Sequence, residues 1–338
     1  MLEAKLQHAS VLRRLFESIK DMVTDVNLEC DETGLRLQAM DQSHVALVAL
    51  KLDDVGFVHF RCDREKSLGL NLPSVCKVFK LCNPNDSCNI QNEEDSESVM
   101  FIFENEADER LSSFSLRLMA IDQDALQVPD DPGRSDVVVK MSAKDFANTI
   151  RTMGEFSDSV RIEVDKLGIK FVTQGDLGLG EVLMKPKPFS SEEGGVEIQV
   201  NSPVSQTYAV KYLNHFAKAA SLSNLVTLCL SDQNPIEVRF DILEPTAGGS
   251  GSSSGGGDAG GAGADDEQQG GDRAAGSGSS SSRQRSSRAA DMQAASRAKI
   301  GHVKFFLAPK MDEDELQDAA AAQGGGDDMN NHDSMMDD

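Results

Sequence analysis

The stretch Ala9 to Thr24, ASVLRRLFESIKDMVT, guides the interpretation of the whole chain. Its apolar residues recur at the spacing of one helical face, which predicts an amphipathic helix. The basic residues Arg13, Arg14 and Lys20 fall outside that apolar stripe. The sequence therefore predicts a helix that packs with one side and carries positive charge on another.

Three further stretches repeat this design of an apolar helical stripe with basic residues outside it. They are Ser74 to Cys82 with Lys77 and Lys80, Ser142 to Phe156 with Lys144 and Arg151, and Val204 to Ala220 with Lys211 and Lys218. One such stripe is usually an ordinary solvated helix face. Four of them in an acidic chain indicate a binding surface for a polyanion. We expect this polyanion to be the backbone of a nucleic acid.

The composition limits where such binding can occur. With 338 residues, of which 39% are hydrophobic, the chain can bury a substantial core and is long enough for two domains. Its net charge is −23, and the part after Lys310 has ten Asp or Glu residues and no Lys or Arg. An acidic exterior argues against wrapping DNA over the whole surface, so binding should be confined to the basic stripes.

The six cysteines indicate neither a metal site nor a disulfide framework. They lack CxxC pairing, and several lie within apolar patterns where a reduced thiol packs as a small hydrophobic group. The sequence has no signal peptide and no long apolar span. We therefore expect a soluble protein without metal or cofactor, in a reducing compartment and without membrane attachment.

Between the predicted helices, short stretches with strand-like alternation predict a meander in each half of the chain, and hence an α+β fold. The predicted strands are 2–6, 26–30, 35–40, 44–51, 57–62, 68–72, 88–91, 98–104, 111–118, 137–141, 160–164, 169–173, 180–185, 196–201, 226–231, 236–242 and 302–307.

The chain has the pattern of an internal duplication. Leu12 and Phe146, Gly34 and Gly168, and Lys77 and Lys211 are all separated by the same interval along the chain. We expect an N-terminal domain at 1–118, a connecting linker at 119–135 and a C-terminal domain at 136–310. The Gly-, Ser- and Ala-rich segment at about 246–299 predicts a disordered insertion within the second domain, and 311–338 predicts a disordered acidic tail.

Several motifs together resemble one known family. They are LEAKL at 2–6, RRLFESIKD at 13–21, MDQSHVALV at 40–48, FRCDR at 60–64, LRLMAID at 116–122, YLNHF at 212–216 and FFLAPK at 305–310. Over Met1 to Leu243 and Gly301 to Lys310 the chain resembles the proliferating cell nuclear antigen family, the eukaryotic DNA sliding clamps. The resemblance implies two similar clamp domains of antiparallel sheets with two helices each, and three chains in a closed ring whose helices line the hole.

The function that the resemblance implies is that of a nuclear homotrimer that encircles double-stranded DNA without sequence preference and is not an enzyme. It would serve as the processivity factor of replicative DNA polymerases. Through short docking peptides it would also bind the clamp loader, flap endonuclease and DNA ligase, and so serve repair, including translesion synthesis and mismatch repair. Contacts with DNA in the hole would come from Arg13, Arg14, Lys20, Lys77, Lys80, Arg151, Lys211 and Lys218.

The resemblance also implies residues for other contacts. Docking of partner peptides would involve Met40, His44, Val45, Leu47, Leu126, Val128, Pro235, Phe306, Leu307, Ala308 and Pro309. The subunit interface would pair the stretch with Phe114 and Leu116 against that with Gly178 and Gly180 of the next subunit, and Lys166 would be a ubiquitin acceptor. Asn148, Phe114, Phe305 and Phe306 depart from the family pattern, which often has a basic residue at the first position and Tyr at the others.

Two other interpretations differ in function. A checkpoint-type clamp subunit, or a scaffold that does not encircle DNA, would share much of this pattern. The basic stripes in both halves and the nearly complete docking set favour a replication clamp. A DNA-processing hydrolase is the remote alternative, because the sequence contains no convincing enzyme motif.

Overall fold

The fold is described by a computed structural model that covers residues 1–83, 85–105, 107–122, 135–189, 195–232, 234–244 and 298–310. The strands are β1 (Leu2–Leu6), β2 (Asp25–Asp31), β3 (Gly34–Met40), β4 (Ala46–Asp53), β5 (His59–Cys62), β6 (Lys66–Asn71), β7 (Ser87–Asn92), β8 (Ser98–Asn105), β9 (Arg110–Arg117), β10 (Val137–Ser142), β11 (Ser159–Asp165), β12 (Gly168–Gly175), β13 (Gly178–Met184), β14 (Val196–Val200), β15 (Val204–Ala209), β16 (Leu225–Ser231), β17 (Asn234–Leu243) and β18 (Lys299–Leu307). The helices are α1 (Ala9–Ile19), α2 (Leu72–Phe79), α3 (Ala143–Gly154) and α4 (Val210–Ala217), with 3-10 turns at Asp54–Gly56 and Lys218–Ser221.

The strands form three antiparallel sheets. The first has the order β5-β1-β7-β8-β9, and the second has the order β13-β12-β11-β15. The third and largest has nine strands in the order β14-β10-β16-β17-β18-β4-β3-β2-β6, so it contains strands from both halves of the chain. Its two parts meet where β18 pairs with β4, in a register that runs from Gly301 opposite Leu52 to Leu307 opposite Ala46.

The four helices form one contiguous layer. The first helix, α1, packs against α2, against α4 and against the 3-10 turn that follows α4, and α3 packs against α4 and the same turn. Local sequence fixes where some helices begin: the Asn71 side chain accepts a hydrogen bond from Ser74 N at the start of α2, and Ser142 does the same for Asp145 N at the start of α3.

The core lies between the helix layer and the sheets. Phe305 of β18 is fully buried and its ring stacks on that of Phe216 in α4, with centroids 4.7 Å apart. It also meets the ring of Phe240 edge-on. Because side chains alternate along a strand, the next residue, Phe306, lies on the opposite face of the sheet and is half-buried.

The predicted fold class is confirmed: in the described residues, antiparallel sheets carry two helices in each half. One predicted helix began too early, because Val204–Ala209 is strand β15, paired with β11 from Val164 opposite Val204 to Ser159 opposite Ala209. Val204, Thr207 and Tyr208 are residues that favour strands, and pairing with β11 outweighs the helical spacing of the apolar residues. The helix itself begins only at Val210.

The internal repeat is real, but its spacing changes along the chain. Helices α1 and α3 begin at Ala9 and Ala143, whereas α2 and α4 begin at Leu72 and Val210, and this second interval is the longer one. The correspondence of Lys77 with Lys211 was therefore wrong. Counted from the first residue of each helix, Lys77 corresponds to His215, and Lys80 corresponds to Lys218.

The last strand begins earlier than predicted, at Lys299 instead of His302, and Glu244 N donates a hydrogen bond of 3.0 Å to Ala298 O beside it. The linker residues 123–134, the segment 245–297 and the tail 311–338 lie outside the described residues, so the predicted disorder there and the domain boundaries stay predictions. The predicted insertion precedes Lys299, the first residue of β18. At ~3.3 Å per residue, this end of the strand lies about 26 Å from its last residue, Leu307.

Phe305 and Phe306 offer a matched test of this layering. We expect Phe305→Ala to lower the free energy of unfolding by about 3–5 kcal/mol, because it removes a fully buried ring. Phe306→Ala should cost at most about 1–2 kcal/mol, because less apolar area leaves the interior. Denaturant unfolding followed by circular dichroism measures both. Equal losses for the two variants would contradict the assignment of the two faces.

Candidate functional site

The predicted basic residues lie on the exposed or half-buried sides of the helix layer. Lys77 of α2 and Lys80, which follows its last residue, are exposed, and α3 exposes Arg151 together with Asn148. Helix α4 exposes Lys211, whose Nζ lies 5.4 Å from the centre of the Tyr212 ring. In contrast, Lys218 at the end of α4, and Arg13 and Arg14 of α1, form hydrogen bonds or ion pairs with neighbouring groups. The cations of the helix layer therefore differ in their exposure and in the protein groups that they contact.

Two of the predicted cations join the two halves of the chain. Arg14 Nη1 donates a hydrogen bond of 2.8 Å to Ser221 O, at the end of the 3-10 turn after α4. Lys218 Nζ donates one of 2.6 Å to Asp21 Oδ2, just beyond α1, and this bond lowers the pKa of Asp21. Arg13 is paired within α1 to Glu17 at 3.2 Å. These side chains thus have structural partners in addition to any role at a binding surface.

A groove of about 370 Å³ lies between α1 and that 3-10 turn. It is lined by both cations and carboxylates: Arg14, Glu17, Ser18, Lys20, Asp21, Lys218 and Ser221. Lys20 is half-buried. The groove marks the junction of the two halves within the helix layer.

Sequence analysis missed His215, which belongs to the same stripe. Lys211 and His215 of α4 and Lys218, the first residue of the 3-10 turn that continues it, are spaced i, i+4 and i+7. They therefore lie on one side, away from the buried Leu213 and Phe216. His215 aligns with Lys77 only when the longer interval between α2 and α4, which the structure reveals, is applied.

On the other face of the nine-stranded sheet, four side chains form one row across adjacent strands. Met40 of β3 is paired with Leu47 of β4, Leu47 with Phe306 of β18, and Phe306 with Glu237 of β17. Paired residues of antiparallel strands point to the same face. Three of the predicted docking residues therefore form a continuous apolar strip.

The strip continues into a polar patch. Lys304 and Glu237 are both buried, with Nζ and Oε1 3.9 Å apart. Burial raises the pKa of Glu237, and the charge of Lys304 opposes this effect. One step further along β18, burial and the charge of Arg239 lower the pKa of His302 to about 4. Ionisable side chains therefore lie beside the apolar strip on this face.

The loop before β4 is organised by a single carboxylate that sequence analysis did not assign to the site. Asp41 is 7% exposed, and its Oδ1 accepts hydrogen bonds from Val45 N and Ala46 N at 2.8 and 2.7 Å. Its Oδ2 accepts from Ser43 N at 3.1 Å, from the Ser43 hydroxyl, and from the Tyr212 hydroxyl at 2.9 Å. Tyr212 reaches this loop from α4, a contact that sequence spacing could not reveal.

These contacts fix the charge of Asp41 and the shape of the loop. Burial alone would raise the pKa of Asp41, but the hydrogen bonds from Ser43, Ala46 and Tyr212 outweigh it and lower the pKa to about 2. His44 has a φ of 57°, a conformation that non-glycine residues seldom adopt. The loop thus presents His44 and Val45 to solvent in a fixed geometry.

The remaining predicted docking residues differ in exposure. Ala308 and Pro235 are exposed, Pro309 is half-buried, and Ala308 N donates a hydrogen bond of 3.1 Å to Val45 O. Leu307 is a correction: its side chain is fully buried on the core face, because it alternates with Phe306. Phe305 is buried for the same reason and lies on the core face, not on the face of the apolar strip. Leu126 and Val128 lie outside the described residues.

The two stretches predicted for the subunit interface lie on sheet edges. Strand β9 ends the five-stranded sheet, with Phe114 and Leu116 half-buried, and β13 ends the four-stranded sheet. Gly178 in β13 has a φ of 122°, and Gly180 is half-buried. Both edges also expose leucines: Leu111 is 68% exposed and Leu179 67%. Each edge thus offers unpaired backbone groups next to apolar side chains.

Lys166 lies in the turn between β11 and β12. Asp165 Oδ1 accepts hydrogen bonds from Leu167 N at 2.7 Å and Gly168 N at 3.1 Å, which closes the turn. The Lys166 side chain is exposed. A rigid turn therefore presents this lysine to solvent.

In the described ranges, no three His, Cys, Asp or Glu side chains come together as metal ligands would. None of the helices there combines the length and hydropathy that crossing a membrane requires.

Comparison with known proteins gives two family matches that together span most of the chain. A model of the N-terminal domain of proliferating cell nuclear antigen matches residues 1–127, and a model of its C-terminal domain matches residues 129–247. The second match ends close to the end of β17, so β18 lies beyond it.

Curated relatives carry the same family name. Proliferating cell nuclear antigen 1 of Plasmodium falciparum, in isolates K1 / Thailand and 3D7, is 41% identical over 315 residues, covering 93% of this chain and 98% of the relative. Proliferating cell nuclear antigen of Chaetomium thermophilum is 39% identical over 247 residues, covering 72% of this chain and 93% of the relative. The chain therefore belongs to the proliferating cell nuclear antigen family, whose members are DNA sliding clamps and processivity factors.

Proposed function

We propose that three copies of this chain close into a ring in which the layer of α1, α2, α3 and α4 faces duplex DNA. The observation that carries this proposal is the contiguous helix layer with basic side chains on all four helices. Contacts from these side chains to phosphates are electrostatic and carry no base information, so they exchange as the ring moves. The function is then topological, and no covalent chemistry is required of the protein.

Closure of the ring would pair β9 of one subunit with β13 of the next. Both strands are sheet edges, and both expose leucine side chains that association would remove from water. Phe114 and Leu116 on one edge, and Gly178 and Gly180 on the other, are the residues at the proposed contact. Pairing would extend each sheet across the subunit boundary.

The opposite face would dock short peptides with a hydrophobic plug. The strip of Met40, Leu47 and Phe306, together with His44 and Val45, supports this role, and Leu126 and Val128 of the linker would complete the surface. The proposed partners are replicative DNA polymerases, the clamp loader, flap endonuclease and DNA ligase, in the nucleus. Competition among such peptides for one surface would coordinate replication and repair.

Lys166 is proposed as a ubiquitin acceptor. Its turn is exposed and held by Asp165, so an enzyme could reach the ammonium without unfolding a strand. A modified Lys166 would recruit enzymes of damage bypass without occupying the apolar strip of Met40, Leu47 and Phe306.

Charge reversal tests the orientation of the helix layer. We expect the triple variant Lys20→Glu, Lys77→Glu, Lys211→Glu to lower polymerase stimulation on circular primed DNA by about tenfold or more, because each subunit loses three phosphate contacts. Light scattering should still give a trimer, since none of the three residues is at the proposed interface. The matched control is Lys→Arg at the same positions, which keeps the charge and should keep stimulation. Full stimulation by the Glu variant would refute the assignment.

The loop before β4 that Asp41 organises, called the docking loop below, gives a second test. Asp41→Asn should weaken binding of a plug peptide about tenfold, because an amide nitrogen cannot accept the bonds that the carboxylate accepts, a cost of about 1–2 kcal/mol. Tyr212→Phe removes a single donor and should have a smaller effect. Isothermal titration calorimetry measures both, and unchanged affinity for Asp41→Asn would show that the loop plays no part in docking.

The pKa of Asp41 in the folded protein lies below its ordinary value of 3.8. The stabilisation of the fold by the Asp41 carboxylate should therefore persist above about pH 4 and be lost as pH falls towards 2.

The modification proposal is tested in cells. Lys166→Arg should support normal growth but reduce survival after DNA damage severalfold, because the arginine cannot be ubiquitinated. Lys170→Arg is the matched control, since Lys170 lies on the adjacent strand and is paired with Glu181 at 3.1 Å. If both variants survive damage equally well, Lys166 is an ordinary surface lysine.

A further inference from the structure

The basic stripe of α4 contains one side chain whose charge depends on pH. His215 lies between Lys211 and Lys218 on the same side of the helix, at spacing i, i+4 and i+7. It is half-buried, whereas the two lysines are exposed. Near neutral pH the lysines are fixed cations, and histidine is the residue whose ordinary pKa lies close to physiological pH.

The internal repeat indicates what His215 replaces. When α2 and α4 are aligned at their first residues, Leu72 and Val210, His215 corresponds to Lys77 and Lys218 corresponds to Lys80. The first half of the chain therefore has a permanent cation where the second half has a titratable group. The two halves of one subunit differ at this position in charge, although the helices that carry it are equivalent.

The surroundings of His215 hold it neutral. Its Nδ1 is 3.5 Å from Lys218 Nζ, so in the neutral ring Nδ1 accepts from the ammonium group and the proton is on Nε2. Burial lowers the pKa of His215, Lys218 and Lys211 lower it further, and Asp21 near the end of α1 acts in the opposite direction. Asp21 is itself bonded to Lys218 at 2.6 Å, which weakens its effect.

Neighbouring helices supply few other charges. Helix α3 packs against α4 through Gly154, which lies beside Val210 and Asn214. Its charged residues near this end, Arg151 and Glu155, are both exposed. From α1, Lys20 precedes Asp21. His215 therefore sits in a predominantly positive environment, which favours the approach of an anion.

We propose that His215 contacts a DNA phosphate only when its imidazole is protonated, so that this part of the helix layer takes up a proton when it binds DNA. The proposal rests on the proposed function, in which this layer faces the duplex. A phosphate beside the ring adds negative charge and favours the imidazolium form. The proton comes from solvent and binds Nδ1, which then no longer accepts from Lys218, and the Lys218 ammonium remains bonded to Asp21.

The direction of the pH effect follows from linkage. DNA raises the pKa of His215 above its value in the free protein, so affinity increases as pH falls through the DNA-bound value. The increase is complete below the free value, which lies under the ordinary 6.5. The clamp would thus hold DNA more tightly at mildly acidic pH than at alkaline pH.

The direct test is the protonation of His215 in the full chain. Nuclear magnetic resonance of the 13C-labelled imidazole, titrated with and without a mixed-sequence duplex, should give a higher pKa with DNA. His302 of β18 lies on the other face of the nine-stranded sheet and serves as the internal control, because DNA at the helix layer should leave its pKa unchanged. An unchanged titration of His215 in the presence of saturating duplex overturns the proposal.

Duplex affinity measured by fluorescence anisotropy at about pH 6 and about pH 8 provides the second readout. Affinity of the natural chain should rise at the lower pH by up to about tenfold for each pKa unit that DNA adds. His215→Phe should remove this rise, and His215→Lys should bind tightly at both pH values, as the correspondence with Lys77 implies. Equal pH dependence of the natural chain and His215→Phe refutes the proposal.

A further variant separates this proposal from the proposed function. Lys211→Glu weakens binding at both pH values if α4 faces DNA. If it does so while His215→Phe keeps the full pH dependence, only the role of His215 is wrong. If Lys211→Glu binds as the natural chain does, the orientation of the helix layer is wrong and the His215 proposal falls with it.

Discussion

The pairing of β18 with β4 is the contact on which the rest of the structure depends. It joins the last strand of the described chain to a strand of the first half, from Gly301 opposite Leu52 to Leu307 opposite Ala46. Without it, the nine-stranded sheet would be two separate sheets. Because both halves are held in one sheet, their helices lie side by side and share one layer. A single backbone ladder thus determines the geometry of both proposed surfaces.

Strand alternation keeps the two surfaces chemically separate. In β18, Phe305 points to the core under the helices, while Phe306 joins Met40 and Leu47 on the other face. A slip of one residue would exchange these faces, so that Lys304 would point to the core and Phe305 would leave it. The stacking of Phe305 on Phe216 opposes such a slip, because it fixes the register from inside the core.

Sequence analysis succeeded where the determining pattern is local. The amphipathic helix α1 and the alternating strands follow from periodicity within a short window of the chain. It failed at β15, where pairing with β11 decides between helix and strand, and at the repeat, where additional chain between β12 and β15 shifts the correspondence of Lys77 to His215. The Asp41 loop could not be predicted, because Tyr212 is distant in sequence and meets it only in the fold.

Helix α4 connects the two proposed surfaces physically. One side carries Lys211, His215 and Lys218, and Tyr212 on the same helix donates its hydroxyl to Asp41 beneath the docking loop. Lys218 is also tied to Asp21 of α1, so the position of α4 is fixed from more than one direction. The same short helix thus carries basic side chains on one side and supplies a hydrogen bond to the Asp41 loop. The proposed docking surface and the proposed DNA-binding surface therefore share one structural support, although they lie on opposite faces of the sheet.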